Sequence, residues 1–159
     1  MAIDQRDSAP APRIERGLLV SSPRELDAVI HRIPEGRVAT IGAIRTSVAR
    51  SHKAEDADPV STRAFLRVVA QAAEEERAAG GGRIAPYWRV VNDDGSLVEE
   101  FPGAYAAQDR ALTAEGVTVL HLGKVPKVTT IEHFAWQPPP LGKGVANRPP
   151  PAPRKKGAR

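Results

Sequence analysis

Two helix-forming runs lie close together near the middle of the chain: Thr40-Ile41-Gly42-Ala43-Ile44-Arg45-Thr46-Ser47-Val48-Ala49-Arg50 and Pro59-Val60-Ser61-Thr62-Arg63-Ala64-Phe65-Leu66-Arg67-Val68-Val69. In the first, Ile41, Ile44 and Val48 share one helical face, and Thr40 stands where a capping hydroxyl is useful. The second opens on Pro59 and reaches to about Arg77. Val60, Ala64, Val68 and Ala72 recur at spacing four, with Phe65 and Val69 beside them. Residues 79–82, Ala-Gly-Gly-Gly, end it. The polar stretch 51–58 between the runs reads as a loop. Upstream, Ser22-Pro23-Arg24-Glu25 has capping-box spacing, and Leu26, Val29, Ile30 and Ile33 follow at helical intervals before Pro34. A supporting helix, then two helices joined by a loop, the second longer, is helix-turn-helix logic.

Working outward, Tyr87-Trp88-Arg89-Val90-Val91 reads as a short extended piece, and Asn92-Asp93-Asp94-Gly95 as a turn. Residues 104–114 read as a further helix closed by Gly116, and 117–122 alternate weakly like a strand. Residues 1–16 are polar, contain Pro10 and Pro12, and are expected to be disordered. The folded domain is expected over 17–136. Residues 137–159 hold seven of the 15 prolines and are expected to be a second disordered segment.

Charge follows the same division. Six of the 23 basic residues (Lys143, Arg148, Arg154, Lys155, Lys156 and Arg159) lie in 137–159, where there is no acid, so the net charge of +4 comes from that tail. The tail serves either as a phosphate-binding arm or as a solubilising end. Within the domain, Arg32, Arg37, Arg45, Arg50 and Lys53 cluster around one acid, Glu35, and Arg63 and Arg67 extend the basic character along the second helix. Acids gather elsewhere, at Glu55-Asp56-Ala57-Asp58, Glu74-Glu75-Glu76 and Glu99-Glu100. Bunched arginines on a helix pair form either a phosphate-contacting face or a solvated surface.

Cysteine is absent, which excludes disulfides, thiolate zinc sites and a cysteine nucleophile. His31, His52, His121 and His133 show no ligand spacing, and no cofactor motif is present, so neither metal nor cofactor is expected. No apolar run approaches the ~20 residues of a membrane span, and the N-terminal residues lack a signal-peptide pattern. A cytoplasmic, nucleoid-associated monomer with no membrane partner is the resulting expectation.

Local sequence adds a resemblance. Ile33-Pro34-Glu35-Gly36-Arg37-Val38-Ala39-Thr40-Ile41-Gly42-Ala43-Ile44 resembles the opening of the DNA-binding domain of O6-alkylguanine-DNA alkyltransferases. Pro86-Tyr87-Trp88-Arg89-Val90-Val91 is similar to that family's Pro-Cys-His-Arg-Val-Val active-site core. Gly103, Gln108, Arg110, Leu112 and Glu115-Gly116-Val117 resemble the end of the same domain. The three matches span roughly 23–120 in order. They imply a mainly α, winged-helix-like domain with a small β element near Val90 and Val117.

Carried over position by position, the resemblance also implies what is missing. The alkyl-accepting cysteine is replaced by Tyr87, and the histidine that activates it by Trp88. A phenol with an ordinary pKa near 10 is a poor soft nucleophile, and an indole cannot relay a proton. No alkyl transfer is therefore expected. The cysteine-less alkyltransferase-like proteins, which usually carry tryptophan at the cysteine position and keep the histidine, bind alkylated guanine in duplex DNA, flip it and flag it for nucleotide excision repair. Here the tryptophan sits one place later. Either Tyr87 walls the lesion pocket while Trp88 packs elsewhere, or the loop shifts and Trp88 takes the usual place. Arg63 matches the family's arginine finger, which enters the stack from the minor groove in place of the flipped nucleotide. Its alternative is a phosphate contact or a salt bridge to Glu55 or Asp58.

On this reading Arg63, Arg67, Thr40, Arg45 and Arg89 contact DNA, and Pro86, Tyr87, Trp88, Phe101 and Gly103 line the lesion pocket. Three departures stand out. The family tyrosine before the second helix is Ile41, the Asn-Pro hinge is Gly80-Gly81-Gly82-Arg83, and the usual Tyr-Ser-Gly is Phe101-Pro102-Gly103. Glu115 keeps the family's carboxylate, which serves to brace the loop. Two other functions fit the same residues: an architectural or regulatory DNA-binding module without lesion preference, and a protein-interaction adaptor with a vestigial pocket.

Overall fold

The computed structural model describes residues 4–139; residues 1–3 and most of the tail expected over 137–159 lie outside the described residues. The helices form where the sequence places them. Helix α1 (Pro23–Ile30) is capped by Ser22 Oγ, which accepts from the Glu25 amide at 3.2 Å. Only this half of the capping box is reciprocated as expected. The Glu25 carboxylate is turned to His52 Nε2, at 2.8 Å, and so ties the start of α1 to the end of α2 (Ile41–Ser51). Helix α2 begins at the Thr40 cap. Helix α3 (Pro59–Ala78) begins at Asp58, whose carboxylate accepts from the Ser61 amide at 2.8 Å. Helix α4 covers Ala104–Ala114, and a short α5 covers Ile131–Phe134.

The buried face of α3 differs from the one expected. Val60 and Ala64 are exposed, while Thr62, Leu66, Val69, Ala70 and Ala73 face inward. A strict spacing of four drifts by about 40° per step around a helix of 3.6 residues per turn. The stripe that tracks one face follows mixed three- and four-residue steps, and it presents Arg63 and Arg67 away from the core.

Three two-stranded sheets complete the fold among the described residues. Strands β1 (Arg13–Glu15) and β2 (Leu18–Val20) form an antiparallel hairpin, turned by Arg16 and Gly17, both at positive φ. Strand β3 (Ala39–Thr40) pairs in parallel with β4 (Val90–Val91), and β5 (Val119–Leu120) pairs antiparallel with β6 (Lys127–Val128). The piece before β4 is a 3-10 turn, Tyr87–Arg89, rather than extended chain. One core unites α1, α2 and α3 around Leu26, Ile30, Ile44 and Leu66; a second joins Val38, Val91, Leu97, Leu112 and Val117. Trp88 packs against both. No helix among the described residues is long and apolar enough to cross a membrane.

Residues 4–16, expected to be disordered, are folded onto the domain. Besides the hairpin strand, Gln5–Asp7 form a 3-10 turn, and Arg6 is buried between α1 and α3. Its guanidinium donates to Asp27 at 3.0 Å and Asp4 at 2.6 Å, and it also pairs with Glu76. Two carboxylates distant in sequence, Asp27 and Glu76, supply what local composition does not reveal. The Asp4 carboxyl, ordinarily at 3.8, is held at about 2, chiefly by the side-chain hydrogen bond from Arg6 and against the opposing effect of burial. A depressed carboxyl contributes stability that is complete above about pH 4 and is lost as pH falls toward 2. Asp4→Asn is therefore expected to flatten that part of the acid-unfolding curve followed by circular dichroism. A variant curve parallel to the parent's from pH 4 to pH 2 would contradict this.

Candidate nucleic-acid interface

The loop that resembles the alkyltransferase active site is held from below by α4. Gln108, buried, accepts from the Val98 amide at 2.7 Å and donates to the carbonyls of Trp88 at 3.0 Å and Val90 at 2.7 Å. Glu115, at the C-terminal end of the same helix, accepts from Trp88 Nε1 at 2.8 Å, from Arg89 Nε at 2.9 Å and Nη2 at 2.8 Å, and from the Gly36 amide at 3.2 Å. Arg89 also donates to the Ile33 carbonyl at 2.7 Å. With side-chain exposures of 14% for Arg89 and 10% for Glu115, this is a largely buried ion pair. Arg89 is thus committed to the interior in the free protein.

The expected pocket residues come together, but as a packed cluster. Tyr87 is 5% exposed and Phe101 3% exposed. Their rings meet edge to face at 5.3 Å, and the Tyr87 and Trp88 rings do so at 5.5 Å. Tyr87 Oη donates to Glu74 on α3 at 2.7 Å. Trp88 is half-buried, with the guanidinium carbons of Arg77 and Arg89 at 5.6 and 5.7 Å from its ring centroid. The loop therefore has Tyr87 inward and Trp88 at the joint between the two cores. Pro86 is buried beside them. Gly103 serves the chain path: it enters α4 at φ +79°, and a Cβ there would meet that of Ala107 at 2.4 Å.

Neither Tyr87 nor Trp88 is an activated nucleophile here. Burial, reinforced by the Glu74 carboxylate, pushes the Tyr87 phenol well above its ordinary value. Its proton is donated to a carboxylate, and its neighbour Trp88 is a donor only.

A separate cleft of about 480 Å3 opens where the N-terminal ends of α2 and α3 meet the 92–96 turn. Ile41, Arg45, Pro59, Arg63, Asn92, Asp93, Asp94 and Ser96 line it. None of the five expected pocket residues does. The volume is in the range of small-molecule sites, roughly 300–1,000 Å3. Both helix ends that border the cleft are already occupied by side chains: Asp58 caps α3, and two groups meet the first turn of α2. Thr40 Oγ1 accepts from the Ala43 amide at 3.1 Å, and Asp93 Oδ1 accepts from the Gly42 amide at 2.7 Å. Gly42 permits that approach, since a Cβ would lie 2.8 Å from the same oxygen. Thr40 is thus the cap of α2.

Arg45 is likewise engaged. Its Nε donates to the Ala57 carbonyl at 3.1 Å, and its guanidinium pairs with Asp56, fastening the α2–α3 loop. Arg67 is exposed on α3. Arg63 is 40% exposed at the rim of the cleft, where it meets Asn92 and Glu100 rather than Glu55 or Asp58. Asn92 and Glu100 were not among the expected site residues. Asn92 read only as part of a turn and Glu100 only as part of an acidic pair, because their proximity to Arg63 arises from tertiary folding.

Removing one partner of a buried ion pair leaves the other charge uncompensated, a loss of about 3 kcal/mol. Glu115→Ala is expected to lower unfolding stability by that amount in urea titrations and to shift Trp88 emission. A loss indistinguishable from zero would show that the carboxylate does not brace the loop.

No family model and no curated protein matches the chain. Among solved structures, it is similar to S. pombe Atl1 in complex with damaged DNA containing O6-carboxymethylguanine, at 22% identity and a TM-score of 0.51, over 73% of this chain and 94% of that one. A structure of S. pombe ATL in complex with DNA gives the same values. At that identity the likeness establishes the fold, a mainly helical domain with small sheets.

Proposed function

We propose that this is a non-catalytic, alkyltransferase-like DNA-binding protein that recognises O6-alkylguanine in duplex DNA and takes part in repair without alkyl transfer. Helix α3 lies in the minor groove, Arg63 enters the base stack, and the extruded base is received at the cleft beside it. The observation that carries this reading is the placement of Arg63. It stands on the first turns of α3, half-exposed, at the rim of a cleft of suitable size. Its planar guanidinium can stack between bases and donate to the orphaned partner. Arg67, exposed one turn further along, supplies a phosphate contact. The likeness to Atl1 bound to damaged DNA supports the same reading.

The absence of transfer follows from chemistry. Tyr87 keeps its proton under the influence of burial and Glu74, and Trp88 cannot act as a base. Nucleotide excision repair proteins are the downstream partners implied, in a cytoplasmic setting.

One observation favours a second reading, a DNA-binding module without lesion preference. The aromatic cluster is filled by its own rings, and Ile41 offers no hydroxyl to a nucleotide phosphate. A titration of tryptophan fluorescence with a duplex carrying one O6-methylguanine, against the unmodified duplex, separates the two. Run at two salt concentrations, the parent is expected to bind the damaged duplex at least about tenfold more tightly, a difference of 1.4 kcal/mol. Arg63→Ala is expected to erase the preference while leaving weak, salt-sensitive binding. Equal affinity of the parent for both duplexes would support the second reading.

A further inference from the structure

In the free protein the Arg63 side chain is engaged at both ends of its fork. Nη1 donates to Glu100 Oε1 at 3.0 Å, and Nη2 donates to Asn92 Oδ1 at 2.6 Å. The Asn92 acceptor is set in place before the arginine arrives. Its Nδ2 donates to Ser96 Oγ and to the Leu97 carbonyl, each at 3.1 Å, which leaves the amide oxygen facing Arg63. Its backbone closes the 92–96 turn through the Ser96 carbonyl, at 2.9 Å. Glu100, by contrast, is 40% exposed, while Asp93 and Asp94 line the same cleft as Arg63.

We propose that Asn92 and Glu100 form a resting latch that parks Arg63 at the cleft and opposes its insertion into DNA. They act as positioning residues for the finger. This inference rests on the DNA reading above and adds to it the two groups that hold the finger before binding. An arginine in the base stack must give up both contacts. It must also leave the rim of the cleft that the extruded base is to occupy, so insertion and opening are one event. The apparent affinity of any binding mode that needs the free finger falls by the fraction of protein in which the latch is open. Glu100 adds a second effect, since its carboxylate stands where phosphates approach, so charge and contact must be separated in the test.

Guanidinium nitrogen–proton NMR of the full chain, without DNA, reads the latch directly. Slow guanidinium rotation is expected for Arg63 in the parent, faster rotation in Glu100→Gln and Asn92→Ala, and fast rotation for the exposed Arg67 throughout. Fluorescence titration with the O6-methylguanine duplex then reads its consequence. Glu100→Gln is expected to bind about two- to fivefold more tightly, the range of a single exposed ion pair. Glu99→Gln, the same charge change on a carboxylate that lies beside Tyr105, is expected to gain less. In an Arg63→Ala background, the excess of Glu100→Gln over Glu99→Gln is expected to vanish. Arg63 rotating as freely as Arg67 in the parent would overturn the latch. So would equal gains from Glu100→Gln and Glu99→Gln that persist without Arg63. A held Arg63 in a protein that binds neither duplex would overturn the DNA reading and, with it, the latch's role; the spectrum of the free protein tells that result apart from failure of the latch alone.

Discussion

The Glu115 carboxylate is the point on which the loop, the small parallel sheet and the two cores converge. It accepts from the indole and the guanidinium of two successive loop residues, Trp88 and Arg89, and from the backbone amide of the distant Gly36. Through Arg89 it reaches the Ile33 carbonyl at the end of the α1 region, and through Trp88 it fixes the ring that both cores share. A charge this far from water persists only when its partners satisfy it, and here every partner is itself fixed by packing. Gln108, two turns earlier on α4, holds the same loop by its carbonyls. The loop is therefore rigid for structural reasons, independent of any reaction.

That rigidity shapes what the surface can do. Several polar groups that could have met a phosphate are consumed internally: Arg89 by Glu115, Arg45 by Asp56 and the Ala57 carbonyl, Thr40 by the Ala43 amide, and the start of α2 by Asp93. Of the basic face inferred from charge bunching, Arg50, Lys53 and Arg67 stay exposed, and Arg63 is held at Glu100, itself 40% exposed.

Sequence patterns revealed the elements whose causes are local. Caps at Ser22 and Thr40, prolines opening α1 and α3, and the glycines after α3 place these three helices, and the span of α4 matches its pattern residue for residue. The order of motifs also gave the fold class. What stayed hidden depends on partners far apart in the chain. The N-terminal segment is ordered because Arg6 finds Asp27 and Glu76. The hairpin β5–β6 and the return of Trp136 to the Val38 carbonyl, at 2.7 Å, have no strong periodicity to announce them. For the site, it was plain that Tyr87 and Trp88 follow Pro86 and that the chain has no cysteine. That these rings close on Phe101 and Glu74 rather than line an open pocket was not, since the contact crosses from the loop to α3.

The central claim is that Arg63 leaves Asn92 and Glu100 to take the place of a damaged base. A crystal structure of the protein with a short duplex carrying one O6-methylguanine tests it most directly. The account predicts the Arg63 guanidinium within the base stack, both resting contacts broken, and the damaged base outside the helix against Ile41, Pro59 and Ser96. An undisturbed stack with Arg63 still bonded to Asn92 and Glu100 would contradict it.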